Sequence, residues 1–343
     1  MEQEINSQGE ILENLIKRYI TNYCVLVDIP VRIKRIVIIG SGSSYNAGLF
    51  GKYFFENICQ VKTSVEYASE IANGNFFGFE KDTLYIALSQ SGNSADINMA
   101  VEMIKDAGAQ VLCITNNNES RLYRNSDIKI DIQAGKENAI AATKTFSATV
   151  LMLWIISIKI AQNKHIDITN ETQNIYSIKD NIEHSMQNID NLDVAVNFLS
   201  KQKGFSIIGI GSNYGLSKEA ALKIKETSYI NANAYPMGDF IHGHFAILNS
   251  QKTILTFVNQ YTTEEEIALI KKINTTYKTK SVLLTDEYND YDCDILIKIQ
   301  KVQSRIVSIL NMIIALQLLA MKVAIKLKRN VDHPKGLKKV VDK

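Results

Sequence analysis

The stretch "RIVIIGSGSSYNAG" near the start of the chain returns about half a chain later as "FSIIGIGSNYGLS". Gly42 answers to Gly211, and Tyr45 to Tyr214. Each copy is a short aliphatic run that breaks into glycine and small polar residues and then becomes an amphipathic segment. A run that apolar has to be buried on both faces, which a parallel sheet with helices on each side provides. Two copies so far apart mean two similar α/β lobes rather than one long sheet.

The alternation continues between and beyond the copies. "TSVEYAS", "TLYIALS", "AQVLCIT" and "IKIDIQ" read as strands of the first lobe, with "SADINMAVEMIKDAG" as a helix among them. "TKSVLLTDE" and "DILIKIQ" continue the second lobe. The pattern predicts a helical lead-in over 1–30, a first lobe over 31–165, a mostly polar linker helix over 166–200, a second lobe over 201–330 and a tail over 331–343. With 343 residues, 46% of them hydrophobic, the chain is long enough for two such cores.

Charge and composition narrow the function. Lysine and arginine number 38 against 36 acidic residues, for a net charge of +2, and no basic stripe is interleaved with aromatics. Nucleic acid is therefore not an expected partner. Two apolar runs, "TVLMLWIISIKI" and "SILNMIIALQLLAMKVAIKLK", read as buried or subunit-interface helices and not as membrane spans. The first is short, and the second carries Asn311, Gln317 and Lys322. Four scattered cysteines and a polar, acidic start without a signal peptide point to a reducing, cytoplasmic setting.

The chemistry begins at "SQSGNSADIN", Ser89–Asn98, where a strand gives way to a helix. Such a corner exposes unpaired backbone N–H groups at the positive end of the helix dipole. Gly92 lets a ligand approach the backbone, Ser89, Ser91 and Ser94 add hydroxyls, and Gln90 adds an amide. A second corner of this kind holds Gly42, Ser43 and Ser44. Together they form a phosphate cradle with no formal charge, although serines at such positions also serve as helix caps. The corresponding place in the second lobe, "FVNQYTTEEE", carries three glutamates that would repel an anion. No cofactor is expected. "GSGSSY" has Tyr45 where a dinucleotide fingerprint needs glycine, no triphosphate P-loop is present, and His242 with His244 lacks partners for a metal.

The second concentration of chemistry is "SKEAALKIKETSYINANAYPMGDFIHGHFAIL". Glu219, Lys223 and Glu226 are spaced by four and three and share one helix face. That face is either a solvated, charge-paired surface or a site for proton transfer. His242, in the loop beyond, is a candidate imidazole partner for the carboxylate. The tail "NVDHPKGLKKVVDK" is either a frayed basic end or a segment that docks a lysine.

Taken in order, "GSGSSYNAG", "SQSGNSADI", "ATKTF", the long lobe-two segment and "DHPKGLKKVV" resemble the sugar isomerase (SIS) domain family, and in particular the isomerase half of glucosamine-6-phosphate synthase. The resemblance spans nearly the whole chain. It implies two tandem, parallel-sheet, flavodoxin-like α/β/α lobes. It also implies that Ser44, Ser89, Gln90, Ser91 and Ser94 hold a sugar 6-phosphate. Glu226 would move a proton between C1 and C2 beside Lys223, His242 of a partner subunit in a homodimer would assist ring opening, and Lys339 would be the tail lysine. Ala142 stands where the family places a serine, which loosens the implied sugar. The chain reaches its first lobe strand by about Arg35, leaving no room for a glutaminase domain. The expected activity is therefore that of an amino-sugar 6-phosphate deaminase/isomerase. A fructosamine 6-phosphate deglycase, a simple aldose–ketose isomerase and a non-catalytic sugar-phosphate sensor are the alternatives.

Overall fold

The structure, a computed structural model, describes residues 1–339 except 31, 77, 288 and 290. The chain divides into two compact units. The first comprises residues 7–138 and 142–176, with Lys338 and Lys339 from the tail. The second comprises residues 1–6, 139–141 and 177–337.

In the first unit, β1 (Arg35–Gly40), β2 (Lys62–Tyr67), β3 (Thr83–Leu88), β4 (Gln110–Thr115) and β5 (Ile128–Asp131) form a parallel sheet in the order β2-β1-β3-β4-β5. The direction of winding reverses between β1 and β3, and ligands in open α/β sheets bind at the carboxyl ends of the strands there. The strands alternate as the period of two requires. Val37, Ile39, Tyr85, Ala87, Val111 and Cys113 face Ile97, Val101 and Ile104 of a helix that covers one side. The helices used below are α1 (Gln8–Tyr19), α2 (Ser43–Asn57), α3 (Ala95–Asp106) and α4 (Lys144–Asn163). A two-stranded ribbon, Ile20–Thr21 with Cys24–Val25, follows α1.

The second unit repeats the plan. Strands β6 (Gly204–Gly209), β7 (Asn231–Pro236), β8 (Thr253–Val258), β9 (Lys280–Thr285) and β10 (Ile295–Lys298) are parallel in the order β7-β6-β8-β9-β10. Its helices are α5 (Ser212–Ser228), α6 (Glu264–Tyr277) and α7 (Arg305–Lys326). Ile208, Ile254, Val258, Ile270, Ile273 and Leu283 form the core between sheet and α6.

One expectation changes. The polar stretch 166–200 is not one linker helix: it breaks into Thr169–Thr172, a 3-10 turn at Ile175–Ser177, Ile178–Gln187 and Leu192–Leu199. Asn174 and Asn191 interrupt it with left-handed backbone, a conformation asparagine tolerates better than most residues. The run "TVLMLWIISIKI" lies within the 20-residue α4, in line with a long helix over "ATKTFSATVLMLWIISIKIAQ". By length and composition α4 and α7 could each cross a membrane, but 83% and 94% of their most apolar windows are buried within the fold.

Candidate active site

The repeated motif has one backbone geometry in both lobes. Gly42 and Gly211 share φ 55° and ψ −128°, and each launches a helix, α2 from Ser43 and α5 from Ser212. A positive φ of this kind is strained for any side chain, so the glycine follows from the turn. Ser43 and Ser44 thereby enter the first turn of α2, at the carboxyl end of β1.

The second corner sits at the end of the neighbouring strand, β3, which is paired to β1 up to Ile39 and Ala87. Ser89 Oγ accepts the Gly92 N–H at 3.1 Å, and Ser91 Oγ accepts the Asn93 N–H at 3.3 Å, so these two hydroxyls shape the turn. The outer side of the turn is tied down. The Gln90 carbonyl accepts the Asn116 N–H (3.1 Å), Asn117 Nδ2 donates to the Ser91 carbonyl (3.3 Å), and Leu122 N–H donates to the Gly92 carbonyl (3.0 Å). Gly92 has φ 65°, and a Cβ there would lie 2.1 Å from Ser120 Oγ. Only glycine fits.

Ser94 occupies the N-cap of α3 but its side chain makes no cap hydrogen bond. The hydroxyls of Ser44 and Ser94 and the amide of Gln90 have no hydrogen-bond partner among the described residues. The cap reading therefore fails for Ser94. A helix start whose N-cap hydroxyl is unused, beside a rigid glycine turn, is suited to receive an anion.

The same unit contains a cluster that residue spacing did not flag. Glu137 is buried, and its carboxylate accepts from the Thr143 N–H (2.9 Å), the Thr145 N–H (3.2 Å) and Thr145 Oγ1 (2.8 Å) at the start of α4. Lys339 Nζ reaches it from the tail at 2.6 Å. Burial alone would raise the Glu137 carboxyl, but the Lys339 ammonium and the threonine donors outweigh it and hold it below the usual range. The tail lysine is docked, not frayed, as far as Lys339; Val340 onward lies outside the described residues. Ala142, half-buried, immediately precedes this helix start. A single glutamate in a loop ahead of "ATKTF" carries no local signal, because its partner lies some two hundred residues away.

In the second lobe the solvated-face reading of α5 is overturned. Glu219 and Lys223 are fully buried, and Glu226 keeps 21% of its side chain exposed. Lys223 Nζ lies 2.6 Å from Glu226 Oε2 and 3.5 Å from Glu219 Oε1. A buried ammonium between two carboxylates fixes the Glu226 carboxylate in place and leaves one of its faces open. His242 is elsewhere. It follows the short helix Met237–Phe240 in an exposed turn, its backbone N–H donates to the Asp239 carbonyl at 3.0 Å, and its imidazole bonds to none of the described residues. Among the described residues no hydrogen bond or ion pair joins His242 to Glu226. His244 instead pairs with Asp239 at 3.1 Å and packs on Tyr235. No group of three or more metal-binding side chains is found among the described residues.

Two flavodoxin-like lobes in tandem, a serine corner of unspent donors in one and a buried carboxylate–lysine pair in the other, define a tandem α/β protein of the sugar-isomerase type. A model of the SIS domain matches residues 31–159 and again 198–322, and the chain belongs to the SIS domain family. The glutamine–fructose-6-phosphate aminotransferase (isomerizing) of Campylobacter jejuni is 30% identical over 99% of this chain and 58% of its own length. That of Buchnera aphidicola is 32% identical over the same shares. The chain thus spans rather more than half the length of these curated relatives. Among solved structures, the C-terminal domain of glucosamine-fructose-6-phosphate aminotransferase from Francisella tularensis superposes with a TM-score of 0.89, at 29% identity over 97% of both chains. Glucosamine-6-phosphate deaminase from Thermotoga maritima, at 23% identity and a TM-score of 0.77, shares the fold. The curated relatives are enzymes, isomerizing glutamine–fructose-6-phosphate aminotransferases.

Proposed function

We propose that the chain is a phosphosugar isomerase that releases the amine from an amino-sugar 6-phosphate such as glucosamine 6-phosphate. The observation that carries this reading is the pair of serine corners, where Ser44, Gln90 and Ser94 keep their side-chain donors unspent around a glycine turn. Ser89, Ser91 and the backbone N–H groups at the starts of α2 and α3 complete a seat for the 6-phosphate. Binding energy from this remote group orients the reacting carbons.

The proton work falls to the other lobe and the tail. His242, supplied by the partner subunit of a homodimer, takes the anomeric hydroxyl proton and passes one to the ring oxygen, which opens the ring. Glu226, oriented by Lys223, then removes the C2 proton of the open-chain aldehyde and returns it to C1. Lys339 is placed by Glu137 to face the enediolate oxygen. Moving the proton to C1 leaves a 2-imino sugar. Water adds to its C2, ammonia departs, and fructose 6-phosphate remains. The first half of this sequence is an aldose–ketose shift, and the named relatives are isomerizing enzymes.

The test is a panel of hexosamine, ketosamine and neutral hexose 6-phosphates, followed for ammonia release and for ketose formation. Ammonia from glucosamine 6-phosphate is the expected result. Interconversion of a neutral hexose 6-phosphate without ammonia release, free amine only from a ketosamine, or tight binding with no turnover each overturns the deaminase reading and leaves, respectively, the isomerase, deglycase and sensor alternatives.

A further inference from the structure

The serine corners carry no formal charge, yet α4 begins with a lysine whose position is unfavourable on every local rule. Lys144 is the first residue of a 20-residue helix, where the dipole repels a cation. It is only 8% exposed. Lysine is almost never buried to that extent without a partner, and among the described residues Lys144 has no hydrogen bond or ion pair. The carboxylate at this helix start, Glu137, is already engaged by Lys339 and by the two threonines. Lys339 takes that carboxylate, and the Lys144 ammonium is left without a counter-charge among the described residues.

The location of that charge is informative. Lys144 Nζ lies 3.6 Å from the place a Cβ on Gly135 would occupy. The Gly135 carbonyl accepts from Asn116 Nδ2 at 2.9 Å, and the Asn116 N–H donates to the Gln90 carbonyl at 3.1 Å. The excess charge therefore stands two hydrogen bonds behind the turn that carries Gln90 and Ser91. Residues that break local rules concentrate where a function repays them.

We propose that Lys144 is the charge partner of the anion bound at the serine corners, a positioning residue that supplies from behind the positive field the neutral cradle lacks. The proposal rests on the phosphate reading of those corners. In the unliganded chain the ammonium is a liability, and in the liganded chain it is compensated. Its signature is opposite movement of two quantities.

The experiment titrates inorganic phosphate and fructose 6-phosphate into the wild-type chain, Lys144→Met and Lys144→Arg at several salt concentrations, with denaturant melts of each unliganded protein. Lys144→Met is expected to weaken both anions about ten-fold or more and to flatten the dependence of affinity on salt. It is also expected to raise the denaturation midpoint, because an unpaired positive charge at the positive end of a helix dipole is removed. Lys144→Arg should retain the wild-type salt dependence. Unchanged affinity and salt dependence in Lys144→Met overturns the proposal, and so does a lowered midpoint, which marks a structural lysine. Failure of the wild-type chain to bind either anion overturns the phosphate reading itself, whatever the variants do.

Discussion

The two lobes reach the same strand-to-helix corner after their third strand and finish it in opposite ways. In the second lobe, between β8 and α6, Thr263 accepts the Glu266 N–H at 3.3 Å, and the Glu266 carboxylate accepts the Thr263 N–H at 2.8 Å. Asn259 Oδ1 accepts the Tyr261 N–H, and its amide is held by Asn213. Three glutamates fill the first turn. In the first lobe, between β3 and α3, the N-cap Ser94 leaves its hydroxyl unused. The contrast recurs after the fourth strand. Neutral Asn116 satisfies both sides of its amide, whereas Asp286 is buried, bonds to Ser308, and has one oxygen without a partner among the described residues. One carboxyl edge has closed on itself and turned acidic. The other has kept its donors free. A repeated scaffold therefore presents two chemistries, unspent donors at the corner of one lobe and a buried carboxylate–lysine group in the other, which is the basis of the division of labour proposed above.

The proposed division can be broken most sharply at Glu226. Glu226→Gln keeps the size and one hydrogen bond to Lys223 but cannot accept a proton. Turnover should fall by about 10²–10⁴-fold while calorimetry still detects sugar-phosphate binding. Near-normal turnover would remove Glu226 as the base.

At the anion-binding end, Gly92→Ala forces a Cβ onto Ser120 at a positive φ. Destabilisation of roughly 2–4 kcal/mol in denaturant melts is expected, with loss of phosphate binding. A mild effect on both would mean the turn is not the rigid element described.

The acidic edge offers a test with a defined pH signature. Burial pushes the Asp286 carboxyl up to about 6, a rise the Ser308 bond only partly offsets. The folded state then holds a proton that the unfolded chain has already lost at pH values between about 4 and 6. Stability contributed by this group falls as pH rises through that window, and the deficit is complete above about 6. Asp286→Asn should therefore stabilise the protein at pH 7.5, by at most roughly 3 kcal/mol, and the gain should vanish below about pH 4. A gain independent of pH would point to packing instead. Glu137 has the opposite sign. Its carboxyl is held low, so its contribution is present at neutral pH and is lost in acid as pH falls through its lowered value.

The smallest effects make the cleanest contrast between the lobes. Thr263→Ala removes a working cap and should cost about 1 kcal/mol with no change in phosphate affinity. Ser94→Ala removes a hydroxyl that caps nothing. It should leave stability within about 0.5 kcal/mol and weaken phosphate several-fold. If the two variants behave alike, the corners are equivalent and the comparison fails.

Much of this was legible in the letters. Strand and helix are written in local periods of two and 3.6 residues, so "RIVIIG" and "TLYIAL" announced buried parallel strands, and the recurrence of Gly42 as Gly211 announced the second lobe. The serine corners were legible for the same reason, since a turn, its glycine and its donors are adjacent in sequence. What needed the tertiary structure was every fact about burial and distant partners. Spacing placed Glu219, Lys223 and Glu226 on one face but could not say whether water covers it; packing of α5 within its lobe decided that it does not. Ser94 had the letter of a cap, and only its unused hydroxyl showed otherwise. Glu137 with Lys339 and the solitary charge of Lys144 were invisible, because the free energy of a charge depends on what surrounds it in space and a one-dimensional pattern records only its neighbours along the chain.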